Sequence, residues 1–234
     1  YTQAQTVASG QFFRMTLPKH ADQFADMRSL RLRFNLQVLT AGPNPCAIDA
    51  PTVQSIISRI RVLSGSQVLL DIANYNLYAA FEENITVRST ESLYEAGLRG
   101  ARVGYSANAD NQSAGKEYIM AFPRGTILNT DALLPLDRLS DMHIEIYLCT
   151  GKEALLNATG SDASFSLSDI ELHANYLSSA SISRYFSSNG VKFHVADVSH
   201  RFNNVQAQTS LLKFSSAHSS LNKIVTILRA DIDY

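Results

Sequence analysis

The chain has 234 residues, 45% of them apolar, with 20 Lys and Arg against 21 Asp and Glu for a formal charge of -1. That is enough apolar material to build one large all-β domain or two small ones, and it excludes a disordered chain. The near balance of charge excludes an overall field towards nucleic acid or acidic lipid, so any such contact has to be local.

Gln11 to Leu17 reads as the first strand. From Arg28 to Leu39, Leu30, Leu32, Phe34, Leu36 and Val38 alternate with Arg31, Arg33, Asn35 and Gln37. A period of two with one apolar face predicts a half-buried strand of an antiparallel sheet. The following AGPNPCAIDAP, Ala41 to Pro51, holds three prolines and a glycine and is expected to be a surface loop. Ser64-Gly65-Ser66 sits between two β-prone runs and predicts a hairpin, because glycine reaches the positive φ that tight hairpin turns require.

From Ile72 to about Asn84 apolar residues recur three and four apart, which predicts a short helix. A second is expected near Ser92 to Leu98. Arg99 to Lys116 is rich in Gly, Ala, Asn and Ser without a period, and reads as a long exposed excursion. Strand character returns at Glu117 to Phe122, Pro123-Arg124-Gly125 turns the chain, and Met142 to Leu148 alternates on one face. Phe165 to Tyr176 forms the next strand, with a bulge expected near Ser168-Asp169. The total is about eight strands before Ser178, the number a jelly roll uses.

Beyond Ser178, Val191 to Val198, Leu211 to Phe214 and Leu221 to Ile232 read as three further strands joined by polar connectors. Three strands cannot close a barrel, so they either cover the first domain or open a second roll continuing past Tyr234; LNKIVTILRADIDY ends in a strand pattern without a terminator, which favours the second. The first residue is Tyr1, and an N-terminal piece is expected to precede it.

Little in the chain points to catalysis. Of His20, His143, His173, His194, His200 and His218, none forms the His-x-His pair that a cupin-type metal site would use. His143-x-Glu145 would share a strand face with Tyr147, but one strand supplies two ligands and not a whole site. A polar outer face or a subunit contact is the expected use. No Gly-x-Ser-x-Gly, P-loop or dinucleotide fingerprint occurs. The expectation is a protein that is not an enzyme, with no catalytic residues, cofactor or metal.

Cys46 and Cys149 match no zinc or redox spacing; one disulfide would be feasible, and two free thiols are expected. There is no apolar run of about 18 residues, and YTQAQTVASGQ has neither a basic n-region nor an apolar core, so membrane insertion and secretion lose support. Asn84-Ile-Thr86, Asn111-Gln-Ser113 and Asn157-Ala-Thr159 fit the glycosylation pattern and are read as chance matches in the absence of a signal peptide. Arg28, Arg31 and Arg33 could form a basic stripe, but their alternation with the apolar face is better explained by a solvated or interface face.

Several segments stand in an order that resembles double jelly-roll major capsid proteins of icosahedral DNA viruses, from large eukaryotic DNA viruses to smaller or bacteriophage relatives. These are ISRIRVLSGSQVLLDIANYNLYAAF (Ile57 to Phe81), YIMAFPRGTILNTDALLPLDRLSDMHIEIYL (Tyr118 to Leu148), IELHANYLSSASISRYF (Ile170 to Phe186) and SLLKFSSAHSSLNKIVTIL (Ser210 to Leu228). Each motif is loose by itself, and the shared order carries the resemblance. The chain departs from the family in having no Trp, a shorter hairpin motif and an early stop in the second roll.

The resemblance implies an all-β fold: an antiparallel eight-stranded jelly roll with short helices in loops over residues 1–178, then a connector and the first strands of a second, incomplete roll over 179–234. It implies a capsid structural protein located in the virion and assembled inside the host cell, a homo-oligomer forming trimeric capsomers that meet neighbouring capsomers. Other virion proteins and an internal viral membrane would be further contacts, and direct nucleic-acid binding is not expected. Loops Ala41 to Pro51 and Gly100 to Lys116 would make the intersubunit or exterior contacts. The alternative is a carbohydrate-binding jelly-roll module, which usually stacks sugar on exposed aromatic rings; this chain offers ten Tyr and no Trp.

Overall fold

The structure, a computed structural model, describes residues 2–3, 6–39, 47–48, 52–85, 115–156, 164–189 and 195. The chain divides into Tyr1–His200 and Arg201–Tyr234, and every element described lies in the first unit. The strands expected at Val191 to Val198, Leu211 to Phe214 and Leu221 to Ile232, and the helix at Ser92 to Leu98, lie outside the described residues apart from Val195.

The described chain is mostly β. In order it runs β1 (Thr2–Gln3), β2 (Val7–Ala8), β3 (Phe12–Thr16), β4 (Gln23–Leu39), β5 (Ala47–Ile48), β6 (Ile57–Ser64) and β7 (Gln67–Ala73). Helix α1 (Tyr75–Ile85) follows, then β8 (Lys116–Ala121), β9 (Leu133–Leu134), β10 (Met142–Leu148), the single turn α2 (Gly151–Ala154), β11 (Leu155–Leu156), β12 (Ser164–Ser178) and α3 (Ala180–Asn189). Short 3-10 turns occupy Val53–Ile56 and Leu136–Arg138.

Two antiparallel sheets carry the fold. The first has the order β1-β12-β4-β8, with β2 also on β12 and β9 also on β4; the second has the order β3-β10-β6-β7. The pairs nest: β6 pairs with β7, β4 with β8 outside it, β3 with β10 outside that, and β1 and β2 with β12 outermost. Successive levels of the nest alternate between the two sheets.

Alternation sets the inner faces. Leu32, Phe34 and Leu36 of β4, Tyr118 and Met120 of β8, and Phe165 and Leu167 of β12 point inward from the first sheet. Phe13 and Met15, Ile60 and Val62, Leu70 and Ile72, and Ile144 and Ile146 point inward from the second, and both sets belong to one hydrophobic core. At about 25 cal/mol per Å² of apolar surface removed from water, this shared core is the main stabilising term.

Strand β4 begins five residues before the expected Arg28. Its pairing with β12 jumps from Arg31↔His173 to Asp26↔Asn175, so extra β4 residues bulge out and the inward phase shifts between Met27 and Leu30. Ser29 ties the bulge, donating to Asp26 O at 2.6 Å and accepting from Asn175 N at 2.7 Å. The shift breaks the period-two signal.

The bulge expected near Ser168-Asp169 is present: three steps from Ser168 to Glu171 oppose two from Asn35 to Arg33, and Asp169 has φ 51°. The Gly65 hairpin also forms, with Gly65 at φ 58° between β6 and β7. Helix α1 starts at Tyr75, later than Ile72, which is a buried residue of β7. One loop expectation changes: within Ala41 to Pro51, Ala47–Ile48 pairs with Leu155–Leu156 and Ile48 is buried. The β-branched Ile48 favours a strand, and the pair finds a partner despite the prolines around it.

Two side chains tie the ends of the sheets. Gln54 donates to Ala121 O at 3.2 Å at the end of β8 and accepts from the buried Tyr75 hydroxyl at 2.8 Å. Helix α3 lies where a polar connector was expected. Its Phe186 ring meets Phe24 at 5.2 Å, and Ser183 donates to Asp22 Oδ1 at 2.9 Å.

Candidate interaction face

The outward face of β3-β10-β6-β7 is built in three cross-strand rows. Register places Arg14, Glu145, Arg61 and Asp71 in one line, Phe12, Tyr147, Arg59 and Ala73 in the next, and Thr16, His143, Leu63 and Val68 on the other side. Each of these residues alternates with an inward apolar neighbour, so the pattern that builds the core also assembles the rows.

Glu145 is only 3% exposed although it points away from the core. Arg14 covers it through Nε at 3.0 Å and a second bond from Nη2, Arg61 Nη1 donates at 3.2 Å, and the Tyr147 hydroxyl donates at 3.1 Å. Burial works to raise the Glu145 pKa, but the hydrogen bonds from Arg14 and Tyr147 and the charges of Arg14 and Arg61 hold it below the usual carboxylate range. Asp71 closes the row: Arg59 grips it with two bonds at 2.7 and 2.6 Å, and Arg61 Nε stands 3.7 Å away. The Arg59 hydrogen bonds hold the Asp71 carboxyl low.

Phe12 is 55% exposed and stacks on Tyr147 with ring centroids 5.1 Å apart, and Arg59 lies over the Tyr147 ring at 5.8 Å. At the opposite margin Thr16 Oγ1 and His143 Nδ1 are 2.9 Å apart, and Val68 is 43% exposed. Both carboxylates of the charged line have their partners within it, while Arg61 Nε is buried without a hydrogen bond, and the two flanking lines leave apolar surface in solvent.

The outward face of the first sheet carries a separate network. Arg33 on β4 donates to Glu117 of β8 at 2.5 Å and to Glu171 of β12 at 3.0 Å, and His173 Nε2 lies 2.8 Å from the same Glu171 oxygen. The His173 and Arg33 hydrogen bonds lower the Glu171 pKa. Arg33, Asn35, Glu117, Asp169 and Glu171 line a shallow depression of about 270 Å³.

The structure puts His143 and Glu145 on one face with Tyr147, as their spacing requires, but hands each to a different neighbour: Thr16 for His143, the two arginines for Glu145. Among the described residues no group of three or more His, Cys, Asp or Glu stands close enough to hold a metal. The three arginines of β4 separate: Arg28 lies in the bulge 3.4 Å from Asp131, Arg31 donates to the Arg28 and Leu30 carbonyls, and Arg33 is neutralised by two carboxylates. Cys149 is a buried free thiol, and burial pushes its pKa up to about 12. Cys46, His194, His200, His218, Asn111 and Asn157 lie outside the described residues, as does most of the stretch from Gly100 to Lys116. No helix among the described residues is long and apolar enough to cross a membrane.

The role of Arg14, Arg59, Arg61 and Asp71 was not foreseen. Its signal was present in the charged residues alternating with Phe13, Met15, Ile60 and Val62. No protein-family model matches this chain, and no curated protein is significantly similar to it.

Proposed function

We propose that this chain is a viral capsid subunit of the jelly-roll class, with the second roll of a double jelly roll beginning after Ser178. The nested pairing of strands carries the reading. Taking β1 and β2 as one strand and leaving aside the two-residue β5, β9 and β11, the eight remaining strands have orders 1-8-3-6 and 2-7-4-5. A long hairpin rolled so that successive levels alternate between sheets gives such an order, and this supports the jelly-roll reading.

On this reading the chain is a structural protein without catalytic residues. It assembles as trimers that meet neighbouring capsomers, and its place is the virion, assembled inside the host cell. Individually modest contacts gain strength by repetition in a closed lattice. Loops Ala41 to Pro51 and Gly100 to Lys116 reach neighbouring subunits or the exterior.

The test is the mass and outline of the purified full-length product by light scattering and negative-stain imaging. Trimers with a hexagonal outline, or closed shells, are expected; a monomer at high concentration overturns the reading. The exposed Phe12 ring stacked on Tyr147 favours the second reading, a sugar-binding module, and glycan-array binding by such a monomer would establish it.

A further inference from the structure

The two sheets present outward faces of opposite balance. On β3-β10-β6-β7 three arginines, Arg14, Arg59 and Arg61, stand against the carboxylates of Asp71 and Glu145, three basic groups to two acidic ones. On β12-β4-β8 the outward carboxylates Glu117, Asp169 and Glu171 stand against the guanidinium groups of Arg31 and Arg33, three acidic groups to two basic ones. Each face also holds apolar surface in solvent: Phe12 and Val68 on the first, Leu39, 47% exposed, on the second.

From this complementarity we propose that the two faces dock on each other between copies of this chain, the arginine face of one copy against the acidic face of the next. The inference rests on the shell reading and names the surfaces that such a shell would use. Because different surfaces meet, the contact is heterologous: each copy keeps one free face of each kind, so contacts propagate into rings or arrays and do not stop at a pair. Covering the arginine face leaves neither of its carboxylates unpaired, since Glu145 and Asp71 already have their partners, and the one positive charge in excess meets the acidic face. The net charges steer the encounter, and the exposed Phe12 and Val68 supply apolar area at the contact.

The experiment uses two full-length variants that leave every ion pair described above intact. Phe12→Glu with Val68→Glu turns the arginine face net negative. Ser166→Lys with Asp169→Asn turns the acidic face net positive, and Asn is among the side chains that tolerate the positive φ at position 169. Self-association is read by sedimentation velocity, with circular dichroism melting to establish that both variants are folded.

Each variant alone is expected to associate at least tenfold more weakly than the wild type. An equimolar mixture is expected to recover in part, because the faces left unchanged still match and the two reversed faces match each other in charge, without the apolar area of Phe12 and Val68. A wild-type chain that stays monomeric overturns the shell reading and this inference together. A wild type that assembles while either variant assembles equally well, or while the mixture does not recover, overturns the docking geometry alone.

Discussion

Glu145 on β10 stands directly opposite Arg14 on β3, and the guanidinium that faces it seals the carboxylate from water on the outward side of a sheet. With Arg61 and the Tyr147 hydroxyl on its other oxygen, Glu145 ties β3 to β6 through β10. Replacing it by Ala leaves two arginines and a tyrosine without their acceptor. We expect a loss of about 2 kcal/mol, the scale of a removed charged hydrogen-bond partner once the partial exposure of the arginines is allowed for. Glu145→Gln, which keeps one of the two acceptor oxygens, is expected to lose less. Urea unfolding of both variants checks the order; equal losses would show that the charge and not the hydrogen-bonding oxygen carries the effect.

Acid should weaken the fold through the same groups. Asp71, Glu117, Asp141, Glu145 and Glu171 all have pKa values lowered in the folded state by arginine, lysine or histidine partners. A lowered folded pKa contributes stability that is complete above the unfolded carboxylate value, about 4, and is lost as pH falls through the folded value. The melting temperature is therefore expected to be flat just above that value and to fall below it. In Arg59→Gln the Asp71 share shrinks to what the Arg61 charge supplies, so the variant is expected to be less stable near neutrality and to lose less on acidification. Melting curves between neutral pH and pH of about 3 read both effects.

Gly65 carries the β6–β7 turn at φ 58°, and a Cβ there would stand 3.3 Å from the Cβ of Ser140. Left-handed backbone costs an ordinary residue roughly 1–2 kcal/mol, and the Ser140 contact adds to it. Gly65→Val should lose more than Gly65→Ala, since branching at Cβ crowds the same site. Chemical denaturation of the two variants tests this; a neutral Gly65→Val would mean that the turn relaxes freely.

The Cys149 thiol is buried, lies 3.5 Å from Ser55 O, and has its pKa pushed up to about 12 by burial. Thiolate is the reactive form, so the native protein should leave Cys149 unmodified by iodoacetamide at neutral pH. Denaturant should expose it to full alkylation. Peptide mass mapping separates it from Cys46, and rapid native labelling at Cys149 would show that this part of the core opens easily.

Periodicity was legible wherever one strand kept a single phase. Leu30 to Val38 and Met142 to Leu148 alternate without interruption, and both strands stand where that alternation placed them. The first half of β4 was hidden because the bulge at Met27 to Leu30 changes which parity faces inward. The candidate face was half legible: His143, Glu145 and Tyr147 had to share a side because they are two residues apart, but their neighbours were not evident.

Alternation and turn chemistry are local, so the residues alone dictate an antiparallel β protein with a hairpin at Gly65 and an interruption near Asp169. Which strand lies beside which is decided by contacts between distant residues, and only the tertiary structure supplies it: Arg14 and Glu145 are 131 positions apart. The same holds for burial. Nothing in the spacing of Glu145 distinguishes it from a solvated carboxylate, because its shielding comes from arginines on two other strands that the nested pairing brings alongside.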